Sequence, residues 1–273
     1  MSHIEYEVVN RTGWLRINRP EARNAMTVDM LMETQDRLYE AELDPAVACI
    51  LISGVGGNLT AGFDMKEVPS NGDKIAVQRH FRRASLYWHS IMHTIVRMKK
   101  PLIVGAQGTN VGGGLGLIAA CDLAVIGEDT RVIPSWVSIG LGPDASSTYH
   151  LPRMVGLRRA IDWIMTNHAA TAQEMLEWGY VTRVVPTEDV MDECWALAES
   201  LNRVPTEILG EVKFLMHHGT ISPIENQTEW EREAVLVGAR TDFFHDRLVD
   251  FLGGKTPATS DVTAGPASEH SAP

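Results

Sequence analysis

Cysteine is scarce in this chain of 273 residues: Cys49, Cys121 and Cys194 stand far apart in apolar surroundings. An odd, scattered set argues against a disulfide framework or a cysteine-rich metal cluster, and each reads as a small buried hydrophobe. Positive charge is in deficit, with 24 Lys and Arg against 35 Asp and Glu and a formal charge of −11. A nucleic-acid backbone needs the opposite balance, so no nucleic-acid partner is expected, although a local basic pocket for a phosphorylated ligand stays open. No apolar run approaches the roughly 18 residues of a membrane span, so no membrane partner is expected. The start, Met1-Ser2-His3-Ile4-Glu5, lacks the basic and then apolar pattern of a secretory signal, and a cytoplasmic protein is expected.

Several nucleotide and hydrolase signatures are also missing. The run from Gly112 fails the dinucleotide fingerprint because position 117 is Leu, and there is no Walker A loop and no G-x-S-x-G elbow. His89 and His93 share a helix face, but the zincin pattern needs Glu after the first histidine and Ser90 stands there. No metal site is expected.

What is there alternates between strand and helix signals. Residues 5–18 alternate polar and apolar around a turn at Asn10-Arg11-Thr12-Gly13, which predicts a hairpin ended by Pro20. Thr27 is the N-cap of a predicted helix reaching about Glu42. Buried strands are expected at 46–52, 101–106 and 123–126, a long helix at about 75–98, and a small-residue helix from Gly112 to Cys121. Beyond about 170 only 181–185 keeps a strand signal, and helical patterns fill 187–252. The alternation predicts an α/β fold. Domains are expected at 1–190 (core), 191–252 (helical region) and 253–273, a flexible tail rich in Gly, Pro, Ser, Thr and Ala.

Four segments could carry chemistry. Ala61-Gly62-Phe63-Asp64 follows a glycine loop. Gly112-Gly113-Gly114 opens a helix, where free N–H groups and the helix dipole can polarise a carbonyl or hold an anion, or where glycine merely permits close packing. Tyr87-Trp88-His89-Ser90 puts an imidazole in the long helix, a general base or a packing-boundary histidine. Gly142-Pro143-Asp144 is a turn in which Asp has ordinary local reasons to occur.

Together these pieces resemble the crotonase (enoyl-CoA hydratase/isomerase) superfamily over about residues 5–250. The matches are Arg19-Pro20-Glu21-Ala22-Arg23-Asn24-Ala25, Ala61-Gly62-Phe63-Asp64, Gly112-Gly113-Gly114 with Ala120-Cys121-Asp122-Leu123, Leu151-Pro152-Arg153, and Glu177-Trp178-Gly179-Tyr180. The resemblance implies a spiral of ββα units, a C-terminal helical trimerisation region and hence a homotrimer. It also implies an acyl-CoA substrate held by the N–H groups of Phe63 and Gly113. A hydratase of this family carries two Glu where this chain has Gly116 and Trp136. Those positions are instead similar to the 4-chlorobenzoyl-CoA dehalogenases, whose pattern implies Asp144 as nucleophile, His89 as base and Trp136 as the partner that aims Asp144. Phe81, Trp88 and Gly114 are then expected at the aryl group, and Arg23 and Lys66 at the CoA phosphates. No separate cofactor is expected, since coenzyme A arrives as part of the substrate. Another acyl-CoA hydratase/isomerase chemistry, or CoA binding without turnover, are the alternatives.

Overall fold

The computed structural model describes residues 2–254, in two compact units that divide after Phe214. The tail expected at 253–273 lies, from 255 onward, outside the described residues.

The first unit repeats a strand–strand–helix theme. Strands β1 (Ile4–Val9) and β2 (Thr12–Ile17) pair antiparallel and lead to helix α1 (Val28–Leu43). Strand β3 (Cys49–Gly54) leads to the 24-residue helix α2 (Lys74–Arg97). Strands β4 (Leu102–Ala106) and β5 (Thr109–Val111) precede α3 (Gly113–Ala120). Strands β6 (Leu123–Gly127) and β7 (Arg131–Ile133) precede α4 (Ser147–Met154) and α5 (Leu157–Thr166). Then come β8 (Ala170–Thr171), α6 (Ala172–Glu177), β9 (Arg183–Val185) and α7 (Val190–Asn202). Helix α8 (Thr206–Gly219) crosses the unit boundary, and α9 (Ile224–Ala239) and α10 (Asp242–Leu252) belong to the second unit.

The strands form two sheets, β1-β2-β3-β4-β6-β9 and β5-β7-β8. After the first hairpin the large sheet is parallel. Its central strands are buried on both faces, as a parallel sheet covered by helices requires. Alternation along β3 divides the core: Ile50 and Ile52 join the main cluster, while Cys49 and Leu51 face Val190, Cys194 and Leu197 of α7. All three cysteines are buried and free, and burial pushes each thiol up, Cys194 to about 12. They act as packing groups. Thr27 caps α1 by accepting a hydrogen bond from the Met30 N–H.

The core unit runs past the boundary expected at 190. Helix α7 covers one face of the sheet, and Lys213 is buried on α8, where its ammonium donates to Ile95 O (2.6 Å) and pairs with Asp122 (2.8 Å). Apolar burial and this ion pair hold 191–214 to the core. In the second unit α9 and α10 have no buried residue.

Candidate active site

Helix α2 presents Phe81, Ala84, Ser85 and Trp88 along one stripe, at the spacing that places side chains on a common face. Opposite it lie the segment 61–63, the entry to α3, and the loop from Pro134 to Asp144. Between them is a cavity of about 370 Å³, lined also by Met65, Ile139 and Leu141. It brings together Phe63, Phe81, Trp88, Gly113, Trp136 and Asp144. The rings of Phe63 and Phe81 lie 6.1 Å apart, inclined at 52°.

Two backbone N–H groups are left over at one end. Met26 pairs with the 62–64 segment through its neighbours, donating to Gly62 O (2.7 Å) and accepting from Asp64 N (2.9 Å). The Phe63 N–H is thereby turned away from Met26, and it has no partner among the described residues. Gly113 is the first residue of α3, where an N–H has no acceptor in its own helix. The two peptides approach closely because Gly62 has no side chain. A Cβ there would stand 2.5 Å from Val111 O and 3.2 Å from Gly113 N, and its φ of +81° also favours glycine. At Gly113 a Cβ would lie 2.6 Å from Cζ2 of Trp88, so the indole rests directly on the helix start.

Asp144 stands at the other end. Trp136 Nε1–H donates to Oδ1 (3.1 Å) and the Ser85 hydroxyl donates to Oδ2 (3.3 Å). Burial pushes the carboxyl above the usual Asp range, while the charge of His89 and these two hydrogen bonds pull it back without cancelling the rise. The loop is shaped by left-handed residues: Ser135 (φ +62°), Ala145 (+50°) and Ser146 (+54°). Asn167, itself left-handed at the end of α5, accepts from the Ser135 N–H at 2.7 Å and so anchors the residue beside Trp136. At Gly116, on the next turn of α3, a Cβ would stand 2.2 Å from Ala145 O and 2.7 Å from Ala145 Cβ. The space that a side chain at 116 would fill is taken by the backbone following Asp144.

Some expected site residues lie elsewhere. Gly114 is not part of the cavity wall. It faces Thr60 and Asn110, where a Cβ would come within 2.9 Å of Thr60 O, so its small size serves packing. His89 is exposed and does not line the cavity. Trp88 takes the inward direction, and one further residue turns the chain about 100° around the helix, leaving His89 one turn beyond Ser85. Its charge still reaches Asp144. Arg23 and Lys66 are exposed and outside the cavity. The Arg23 carbonyl accepts from Ala61 N (2.9 Å) and Asn58 Nδ2 (3.2 Å), tying its loop to the segment that carries Phe63. Asp64 is a buried strut: it accepts from Lys66 N and pairs with Arg19 at 2.6 Å.

Ser85 and Asn167 were not legible as site residues. Serine on a helix face carries no distinctive pattern, although its place one turn before His89 is a usable hint. Among the described residues no three His, Cys, Asp or Glu side chains gather where a metal could bind.

Stacked ββα units carrying two unpaired N–H groups above an apolar cavity define a crotonase-type acyl-CoA enzyme. The enoyl-CoA hydratase/isomerase family model matches residues 10–244. Two 4-chlorobenzoyl coenzyme A dehalogenases of Arthrobacter sp. are each 39% identical over 249 residues, covering 91% of this chain and 90% of theirs. The 1,2-epoxyphenylacetyl-CoA isomerase of Escherichia coli K12 is 26% identical, over 94% of this chain and 96% of its own. The crystal structure of an enoyl-CoA hydratase from Bacillus anthracis superposes with a TM-score of 0.86 at 23% identity, covering 93% of this chain and 98% of that one. The chain belongs to the enoyl-CoA hydratase/isomerase family, the crotonase superfamily, and is an enzyme of that family.

Proposed function

We propose that this enzyme hydrolytically dehalogenates 4-chlorobenzoyl-CoA, giving 4-hydroxybenzoyl-CoA and chloride. The observation that carries the reading is the carboxylate of Asp144, set in the cavity and gripped by Trp136, in a frame with Gly116 and Trp136 at the two hydratase glutamate positions. The 39% identity to dehalogenases supports it.

An aryl carbon resists attack unless the incoming charge can flow away. The N–H groups of Phe63 and Gly113, with the α3 dipole, receive that charge on the thioester oxygen. Loss of one such donor typically costs about 10²–10³ in rate. The apolar walls of Phe63, Phe81 and Trp88 hold the ring edge toward Asp144. Holding a nucleophile in reach contributes effective molarities of order 10⁵–10⁸ M, and desolvation leaves the carboxylate more basic than a free one. One Asp144 oxygen bonds to the chlorine-bearing carbon, the ring takes up the electron pair, and chloride leaves with the carbon–chlorine pair. Water then attacks the acyl carbon of the resulting aryl ester, its proton passing to His89, whose charge reaches Asp144. The phenolate departs with the former Asp144 oxygen. Arg23 and Lys66, exposed outside the cavity, meet the CoA phosphates.

The exposed apolar side chains of α9 and α10, among them Val235, Val249, Phe251 and Leu252, suit subunit contacts in a homotrimer. Analytical ultracentrifugation tests that state.

The direct test is chloride release from 4-chlorobenzoyl-CoA by the wild type and by Asp144→Ala. A single turnover in ¹⁸O water should leave ¹⁶O in the first product and label in the enzyme. Turnover of crotonyl-CoA with no chloride from the aryl substrate would reject the proposal in favour of hydration or isomerisation.

A further inference from the structure

Both oxygens of Asp144 carry a donor, and the two donors differ in kind. The indole N–H of Trp136 is fixed by a buried ring, whereas the Ser85 hydroxyl sits on α2, lines the cavity and turns freely about its Cβ–Oγ bond. For a nucleophile this is a poor arrangement. Each hydrogen bond occupies a lone pair and lowers the charge available for attack on the ring. Trp136 already anchors Oδ1 from a buried ring, which leaves the second donor open to another role.

We propose that Ser85 is a further catalytic residue, whose hydroxyl serves the hydrolysis of the Asp144 ester rather than the displacement of halide. The inference rests on the dehalogenase reading of the same cavity. Once the ester has formed, the two oxygens are no longer equivalent. One bridges to the ring and the other is the ester carbonyl. Because Trp136 holds Oδ1 and Ser85 holds Oδ2, one donor then lies on each, whichever oxygen attacked. When water adds to the acyl carbon, its oxygen–carbon bond forms, its proton goes to His89, and the carbonyl electron pair moves onto the carbonyl oxygen. Collapse restores the carbonyl and breaks the bond to the phenoxy oxygen, which leaves with the pair. Negative charge therefore develops in turn on both atoms that the clamp already holds. Preorganised donors aimed at such charge accelerate a step far more than they slow the ground state. Ser85 lies one helical turn before His89, so the donor and the water-activating base share one side of α2.

The two steps are separable by rapid-quench single turnovers of 4-chlorobenzoyl-CoA, following chloride and ester formation against release of 4-hydroxybenzoyl-CoA. In Ser85→Ala the ester should accumulate, with hydrolysis slowed about 10–100-fold and chloride release slowed by at least ~10-fold less than hydrolysis. Equal slowing of both steps would mean that Ser85 only orients Asp144, and would overturn the inference. Unchanged hydrolysis would overturn it as well. If the wild type releases no chloride, the functional reading fails and takes this inference with it. If the wild type turns over but the variant shows no split, only the inference falls.

Discussion

Trp136 and Asp144, eight positions apart across one tight loop, are joined by an indole N–H donating to Oδ1 at 3.1 Å. The bond holds one carboxylate oxygen, and the Ser85 hydroxyl donates to the other at 3.3 Å. Trp136→Phe keeps the aromatic wall and deletes the N–H. Chloride release should fall about 10–100-fold, as expected for one lost charge-assisted hydrogen bond. KM should change little, because the walls that hold the substrate remain. A steady-state comparison of kcat and KM checks this, and an unchanged kcat would contradict it.

The acid–base behaviour of Asp144 has two consequences of opposite sense. Burial holds its carboxyl above the ordinary 3.8, against the pull of His89, Ser85 and Trp136. Nucleophilic attack needs the ionised form, so single-turnover chloride release should fall as pH drops through a midpoint above 3.8. Stability runs the other way. The folded chain binds this proton more tightly than the unfolded chain. The Asp144 contribution is therefore full below 3.8 and is lost as pH rises through the raised value. Asp144→Asn, which cannot ionise, should melt higher than the wild type at neutral pH, the gap closing in acid. Calorimetry across pH measures it, and a variant that melts lower at pH 7 would refute it.

Arg19 and Asp64 form a second, purely structural relationship. Burial raises the Asp64 carboxyl, but the Arg19 hydrogen bond, the Lys66 N–H and their charges more than offset this, leaving it below the ordinary range. That contribution is present above the usual Asp pKa and lost as pH falls through the lowered one. Arg19→Met should destabilise the fold by about 1.5–3 kcal/mol at pH 7. Urea titrations should show the cost shrinking in acid.

The hairpin, the Thr27 cap, the long α2 and the glycine-led α3 were legible because each depends on local signals: alternation, capping chemistry, helical period. The small sheet was not. Strands β5, β7 and β8 span three, three and two residues, too short for any period, and exist only through pairing with distant partners. The cavity wall was legible at Phe63, Phe81, Trp88, Gly113, Trp136 and Asp144, through resemblance. Gly114 lies outside the cavity wall, and a glycine needed for backbone contact with Thr60 looks the same in sequence as one that opens to a ligand. Ser85 gained its meaning only from the loop that folds onto it.

Gly116→Ala should be among the most damaging small changes in the chain. Its methyl would meet Ala145 O at 2.2 Å, and backbone cannot swing aside as a side chain can. A stability loss of about 1–3 kcal/mol is expected, together with a fall in kcat well beyond that of Trp136→Phe, since Asp144 precedes the displaced residue. Thermal melts and chloride assays on the same sample test both halves.

The interlock of Gly116 with Ala145 also makes the helix and the turn a single unit. A side chain as long as glutamate at 116 and the present course of the 144–146 turn exclude each other, so an acid cannot be grafted onto this face of the helix without redirecting the chain that follows Asp144.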